Sequence, residues 1–164
     1  MTVPEPATPR TLSAPARAEI RRLAGLYEGR QSALLPALFV AQQEFGYLSP
    51  EALAAVAETL DLPVSEVASV ASFYSLFYLE PVGRHVIQIC TNLACMVNGC
   101  GAVVRRLEER LGVAAGGTSA DGRFTLRTVE CLGACEEAPV LLADEDRWAR
   151  VGPDDLDRIL ERYS

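Results

Sequence analysis

Five cysteines lie in this chain of 164 residues, and four of them fall into two pairs. Cys90 and Cys95 enclose Thr-Asn-Leu-Ala, and Cys131 and Cys135 enclose Leu-Gly-Ala. Each pair begins where a run with strand character ends, His85 to Ile89 in the first case and Phe124 to Glu130 in the second. If those strands lie side by side in one sheet, four thiolates arrive at one place. Four thiolates are the ligand set of a [2Fe-2S] cluster. Structural zinc takes the same number, usually with two to four residues between the members of each pair, and C-x4-C stands at the edge of that range.

The residues around the cysteines favour the cluster and leave zinc as the second reading. Cluster sulfur is tuned by backbone N–H donors, and Gly133, Gly99 and Gly101 permit close backbone approach. Leu93, Ala94, Met96, Leu132 and Ala134 are expected to form an apolar shell that limits water. A redox dithiol is normally C-x-x-C, which neither pair shows. Cys100 is surplus to a four-thiolate set and reads as a small residue at the start of a helix. His85 is the only histidine, so a Rieske-type site, which needs two, is closed. It reads as structural, and no catalytic residue is assigned. Gly116-Gly117-Thr118 resembles a phosphate loop superficially but lacks Gly-Lys-Ser/Thr, and no G-x-G-x-x-G follows a strand. Any NAD(H) or flavin chemistry is therefore expected from a partner.

The elements that must position the cysteines can be read from caps, breakers and periodicity. The order from residue 85 on is strand (His85 to Ile89), cysteine loop, helix (Gly101 to Leu111), Gly-rich loop (Gly112 to Arg123) and strand (Phe124 to Val129). The second cysteine loop follows, then short strands at Pro139 to Leu142 and Trp148 to Val151, and a last helix from Pro153 to Arg162. A strand-helix-strand crossover makes its two strands parallel, and ligands of such sheets sit beyond the carboxyl ends of the strands. Both of those ends carry cysteine. The first half reads as helical. Ser13 with Pro15 opens a helix bearing Ile20, Leu23, Ala24 and Tyr27, stopped by Gly29. Ser32 to Phe45 is a second, with Leu35, Leu38, Phe39 and Gln42 on one face and Gly46 after it. Ser49-Pro50-Glu51 starts a third, to Leu60. Pro63 opens a fourth, with Val64, Val67, Val70, Phe73 and Phe77 in register. Short linkers imply an antiparallel bundle. The aromatic stretch Ser72 to Tyr78 is better read as helix-end core and hinge than as a docking surface. The expected organisation is a disordered lead (1–13), a helical bundle domain (14–80) and a cysteine-bearing domain (81–164).

Composition narrows the function classes. The chain is 49% hydrophobic and 23% charged, with a net charge of −7, and its 15 cationic residues are all Arg and scattered. That balance argues against a nucleic-acid surface. No apolar run reaches the roughly 18 to 20 residues of a membrane span. The N-terminus has no hydrophobic signal core, so a reducing compartment is expected, where paired cysteines more often bind metal than form disulfides.

Three segments carry a family resemblance: Val70-Ala-Ser-Phe-Tyr-Ser-Leu-Phe77, Cys90-x4-Cys95, and Val129-Glu-Cys-Leu-Gly-Ala-Cys-Glu-Glu-Ala-Pro139. Together with the Gln-Gln-Glu-Phe-Gly46-Tyr-Leu-Ser turn they resemble the small [2Fe-2S] subunit of respiratory complex I (NADH:quinone oxidoreductase). A related module occurs in NAD-dependent formate dehydrogenases and NAD-coupled hydrogenases. The resemblance spans about residues 15 to 163. It implies an α+β chain, with an N-terminal helical bundle followed by a thioredoxin-like [2Fe-2S] ferredoxin domain. Cys90, Cys95, Cys131 and Cys135 take the four ligand positions one for one. It implies an electron-transfer subunit, not catalytic alone, whose cluster exchanges single electrons with the FMN of a flavoprotein that oxidises NADH. The expected partners are that flavoprotein and other peripheral-arm iron–sulfur subunits, on the cytoplasmic side of the inner membrane. A cysteine at position 100 departs from the family pattern. A zinc-stabilised binding module, and more remotely a thiol oxidoreductase, remain the readings from other classes.

Overall fold

The computed structural model describes residues 11–163, and the N-terminal ten residues of the expected lead lie outside them. Chain contacts divide the protein into two units, with the division between Pro81 and Val82.

The first unit is helical: α1 (Ala14–Ala24), a 3-10 turn (Arg30–Ala33), α2 (Leu34–Phe45), α3 (Pro50–Leu60) and α4 (Val64–Phe73). Its starts follow the capping residues. Ser13 Oγ accepts from the Ala16 N–H at 3.3 Å and Ser49 Oγ from that of Ala52 at 3.2 Å, each with a proline in the first turn. Leu12, expected in the lead, is buried in the bundle core. Helix α1 stops at Gly25 rather than Gly29, which leaves Tyr27 exposed.

The buried stripes differ from the expected ones for a physical reason. In α2 the core face is Leu34, Ala37, Leu38 and Ala41. Phe39 lies at the margin, its ring 5.2 Å from that of Phe77. In α4 the core takes Val67 and Ala71, while Val64 and Phe73 face solvent. Alanines line the helix contacts (Ala33, Ala37, Ala41, Ala52, Ala57, Ala71). Small side chains let helices approach closely, so the large apolar residues are displaced from the seam. The expected Gln42 is instead a clamp on the chain after α4: its Oε1 accepts from the Tyr78 N–H at 2.7 Å and its Nε2 donates to Leu76 O at 3.1 Å. Phe77 enters the core, whereas Phe73 (79% exposed), Tyr74, Leu76 and Leu79 lie on the surface.

The second unit holds β1 (His85–Cys90), α5 (Leu93–Val97), α6 (Cys100–Leu111), β2 (Phe124–Val129), β3 (Leu141–Ala143), β4 (Asp146–Trp148) and α7 (Leu156–Glu161). Its sheet has the order β2-β1-β3-β4. β1 and β2 are parallel, in register from His85 opposite Phe124 to Cys90 opposite Val129. β3 and β4 add antiparallel neighbours, with the two-residue turn Asp144-Glu145 between them. The strands at 139–142 and 148–151 are thus shorter and shifted: β3 starts at Leu141, and β4 ends at Trp148. The central strand β1 is buried on both faces, at Val86 and Ile87 and again at Ile89 and Cys90. Ile87, Ile89, Leu107, Leu126, Leu141, Leu156 and Ile159 make the core.

The Gly-rich loop folds back along β2. Gly116 N–H donates to Leu126 O, Leu126 N–H to Gly117 O and Ser119 N–H to Phe124 O, at 2.7 to 3.0 Å. This covers hydrogen-bonding groups that an edge strand would otherwise expose. At the start of the unit Gly83 is backed so closely on the chain at Arg123 and Phe124 that a Cβ would lie 2.9 Å from the Phe124 carbonyl carbon. Its N–H donates to Thr125 Oγ1 at 2.7 Å.

Candidate metal centre

The parallel register of β1 and β2 brings their carboxyl ends together. Cys90 is the last residue of β1, and its N–H donates to Val140 O at 3.1 Å. One more rung, Thr91 N–H to Val129 O at 3.1 Å, extends the ladder before the chains diverge into the two cysteine loops. The first loop is not irregular, as the sequence suggested: it winds into α5, capped by Asn92, and Cys95 sits in its middle. In the second loop Gly133 takes φ +74°, a left-handed conformation that costs a residue with a Cβ about 1 to 2 kcal/mol. That conformation turns the Gly133 N–H onto Cys131 Sγ at 3.4 Å. A 3-10 turn then begins at Cys135.

All four paired cysteines line one hollow, together with Asn92, Ala94, Leu132, Ala134 and Val140. Cys131 Sγ and Cys135 Sγ are 3.5 Å apart. Two thiolates on one tetrahedral metal, at a metal–sulfur distance of about 2.3 Å, are expected about 3.8 Å apart. The pair is therefore close to the spacing that a single iron of a two-iron rhomb requires. Cys95 in turn interacts with the thiol of Cys90. Among the described residues no three or more His, Cys, Asp or Glu side chains close round one point that a single ion could occupy. Four thiols lining a common hollow in two pairs are the donor set that a two-iron cluster takes.

The electrostatics agree with that donor set. Burial pushes the Cys95 thiol up to about 11, the nearby Cys90 adds to the rise, and a backbone hydrogen bond at Val140 opposes it. Cys135 is raised by its hydrogen bond with Cys131 and by the charge that thiol acquires. Thiols crowded in this way resist ionising together unless a cation balances them.

The paired cysteines differ in exposure. Cys90 and Cys95 are each 3% exposed, whereas Cys131 and Cys135 face solvent. The apolar shell is narrower than expected. Ala134 is buried and Leu132 is half-buried, but Leu93 (70% exposed) and Met96 (63%) point away from the core. Helix α5 turns those side chains outward because Cys95 occupies its inward face. Cys100 does not line the hollow; it begins α6, is buried in the core, and its thiol is raised first by burial and then by the charge of Cys90. His85 stands at the far end of β1 from Cys90. Its Nδ1 lies 2.7 Å from Asp144 Oδ2, and its ring packs on Phe124 and Tyr163. Asn92 and Glu130 were not singled out from the sequence. Asn92 Nδ2 donates to Glu130 Oε2 at 2.6 Å, and Asn92 Oδ1 accepts from the Leu93 N–H at 2.9 Å. The signal was available in part, since Asn is a preferred N-cap and stands directly before Leu93.

The chain is similar to known proteins. The profile of the thioredoxin-like [2Fe-2S] ferredoxin family matches residues 20–164. A subunit of the NADH-quinone oxidoreductase of Pseudomonas aeruginosa is 40% identical over 152 residues, covering 93% of this chain and 92% of that protein. A corresponding NADH-quinone oxidoreductase subunit of Rhizobium meliloti is 44% identical over 147 residues (90% of this chain, 88% of that protein). That of Escherichia coli K12 is 40% identical over 152 residues, with 93% and 92% covered. The crystal structure of an NAD+-reducing [NiFe]-hydrogenase in the air-oxidised state superposes with a TM-score of 0.67 at 26% identity, over 77% of this chain and 22% of that one. The chain belongs to the thioredoxin-like [2Fe-2S] ferredoxin family.

Proposed function

We propose that this chain is the electron-transfer subunit of an NADH-oxidising complex, NADH:quinone oxidoreductase (complex I), and that Cys90, Cys95, Cys131 and Cys135 hold its [2Fe-2S] cluster. The observation that carries the reading is the single hollow lined by all four thiols at the ends of two parallel strands. The relatives at about 40% identity support the host complex. When bound, such a cluster takes up and returns one electron at a time.

The chain's own residues set the conditions for that exchange. Buried Cys90 and Cys95 keep one side of the site out of water, and exposed Cys131 and Cys135 leave the other side open to a donor. The Gly133 N–H on Cys131 Sγ places a dipole that favours added negative charge. The nearby charge of Glu136, which helps to raise the Cys135 thiol, acts in the opposite sense. NADH and FMN bind a partner subunit, with this chain a peripheral subunit on the cytoplasmic side of the membrane. Among the described residues no helix is long and apolar enough to cross a membrane.

A second reading places the same role in an NAD-reducing hydrogenase, which the structural likeness at a TM-score of 0.67 favours. Affinity purification of the tagged chain from its own host separates the two. A complex I assembly predicts co-purification of a flavoprotein and NADH-dependent quinone reduction. Hydrogen-dependent NAD+ reduction in the purified assembly would replace that reading with the hydrogenase.

A further inference from the structure

The two cysteine loops follow different strands, so that Asn92 on the first and Glu130 before the second are 38 residues apart in sequence, and each loop is internally braced. The first is held by the Asn92 cap on α5, the second by the Gly133 N–H on Cys131 and by the turn at Cys135. Bracing within each loop fixes the spacing inside each thiol pair. It does not fix the spacing between the pairs. Beyond the last backbone rung at Thr91, the side-chain bond from Asn92 Nδ2 to Glu130 Oε2, at 2.6 Å, ties one loop to the other. Asn92 is two residues after Cys90, and Glu130 directly precedes Cys131. The bond therefore joins the two chains at the mouth of the hollow, and Asn92 is itself one of its lining residues.

We propose that Asn92 and Glu130 form a latch across the two cysteine loops that sets the distance between the Cys90/Cys95 and Cys131/Cys135 pairs, which makes both of them positioning residues for the cluster. This rests on the assignment of the four cysteines as ligands. The amide of Asn92 does two jobs with its two ends. Its oxygen caps the helix that carries Cys95, and its nitrogen reaches the chain that leads into Cys131. An aspartate in its place keeps the first job, since Asp is an equally good N-cap. It loses the second, because two carboxylates would then face each other at hydrogen-bond distance. A glutamine at 130 restores a donor facing that aspartate. The pair then regains its hydrogen bond with the polarity reversed and with one carboxylate, as in the native chain.

The test uses the full chain with its cluster, purified anaerobically, in four forms: native, Asn92→Asp, Glu130→Gln and the double substitution. The rate of iron release to an excess of an iron chelator and the EPR spectrum after dithionite are measured for each. Since the pair is exposed, its effect is moderate. Asn92→Asp is expected to release iron about fivefold faster and to change the g-anisotropy, and the double variant to return to within about twofold of the native rate. Glu130→Gln alone, which leaves Asn92 an oxygen to bond, is expected to stay within about twofold. Thermal unfolding of the metal-free chains serves as the folding control. An Asn92→Asp chain that behaves as native would show that Asn92 is a cap and nothing more. Faster release that the double substitution does not reverse would equally overturn the latch. A native chain without iron and sulfide would instead bring down the ligand assignment, and the latch with it.

Discussion

The two cysteine pairs of this protein are built on opposite principles. Cys90 and Cys95 lie on a central strand and on a helix, both packed into the core, and burial holds them. Cys131 and Cys135 lie on an exposed loop whose shape depends on a left-handed glycine, one N–H to sulfur and a short turn. The inner pair is thus part of the fold, whereas the outer pair is a device mounted on it. Such a division suits an electron carrier. The buried side resists water, and the exposed side offers a short path to a donor.

The contrast predicts unequal effects of equal substitutions. Serine at any one of the four positions should remove most of the iron, but its effect on the metal-free fold should differ between pairs. Cys90→Ser or Cys95→Ser buries a hydroxyl in the core and is expected to cost about 1 to 3 kcal/mol in chemical denaturation. Cys131→Ser or Cys135→Ser is expected to cost less than about 0.5 kcal/mol, because those residues face solvent. Equal losses in the two pairs would erase the distinction.

A second prediction concerns pH. Burial raises the Cys95 thiol to about 11 from an unfolded value near 9. Between these values the native state holds a proton that the unfolded chain has lost, so stability is full below pH 9 and falls as pH rises toward 11. Denaturation of the metal-free chain over that range should show the loss, and Cys95→Ala should flatten it. An unchanged slope in that variant would assign the titration elsewhere.

Gly133→Ala comes next in size. The left-handed φ of +74° penalises a side chain even though no atom beyond the two adjacent residues lies within 4 Å of the added Cβ. A loss of about 1 kcal/mol is expected, with faster iron release and little change in secondary structure by circular dichroism. The smallest effect should come from Leu93→Ser. Its side chain is 70% exposed on α5, so unfolding should change by less than about 0.5 kcal/mol although Cys95 is only two residues away.

Much of this arrangement was legible in the sequence, for identifiable reasons. Caps at Ser13 and Ser49 and the breaker Pro63 mark helix starts because they satisfy or remove specific N–H groups. The parallel pairing of β1 and β2 followed from the handedness of a strand-helix-strand crossover, and it carried both cysteine ends to the same edge. The buried stripes were less legible. Alanine weighs little in a hydropathy pattern yet decides where α2 and α4 are approached, so Phe39 and Phe73 were assigned to faces they do not occupy. Helix α5 was missed because the five residues around Cys95 are too few to give a periodicity to read. The bond from Asn92 to Glu130 was invisible for another reason: it depends on strand register, which the sequence does not state. The division of the cysteines into a buried and an exposed pair was hidden in the same way, since both follow apolar strands.

The central claim is that these four thiols together hold a two-iron cluster. EPR of the anaerobically purified chain, before and after dithionite, with iron and sulfide counted on the same sample, tests it most directly. The account predicts a silent oxidised state, about two iron and two sulfide per chain, and a rhombic S = 1/2 signal on reduction at a potential well below zero. A colourless, EPR-silent protein holding one zinc per chain and no sulfide would contradict it.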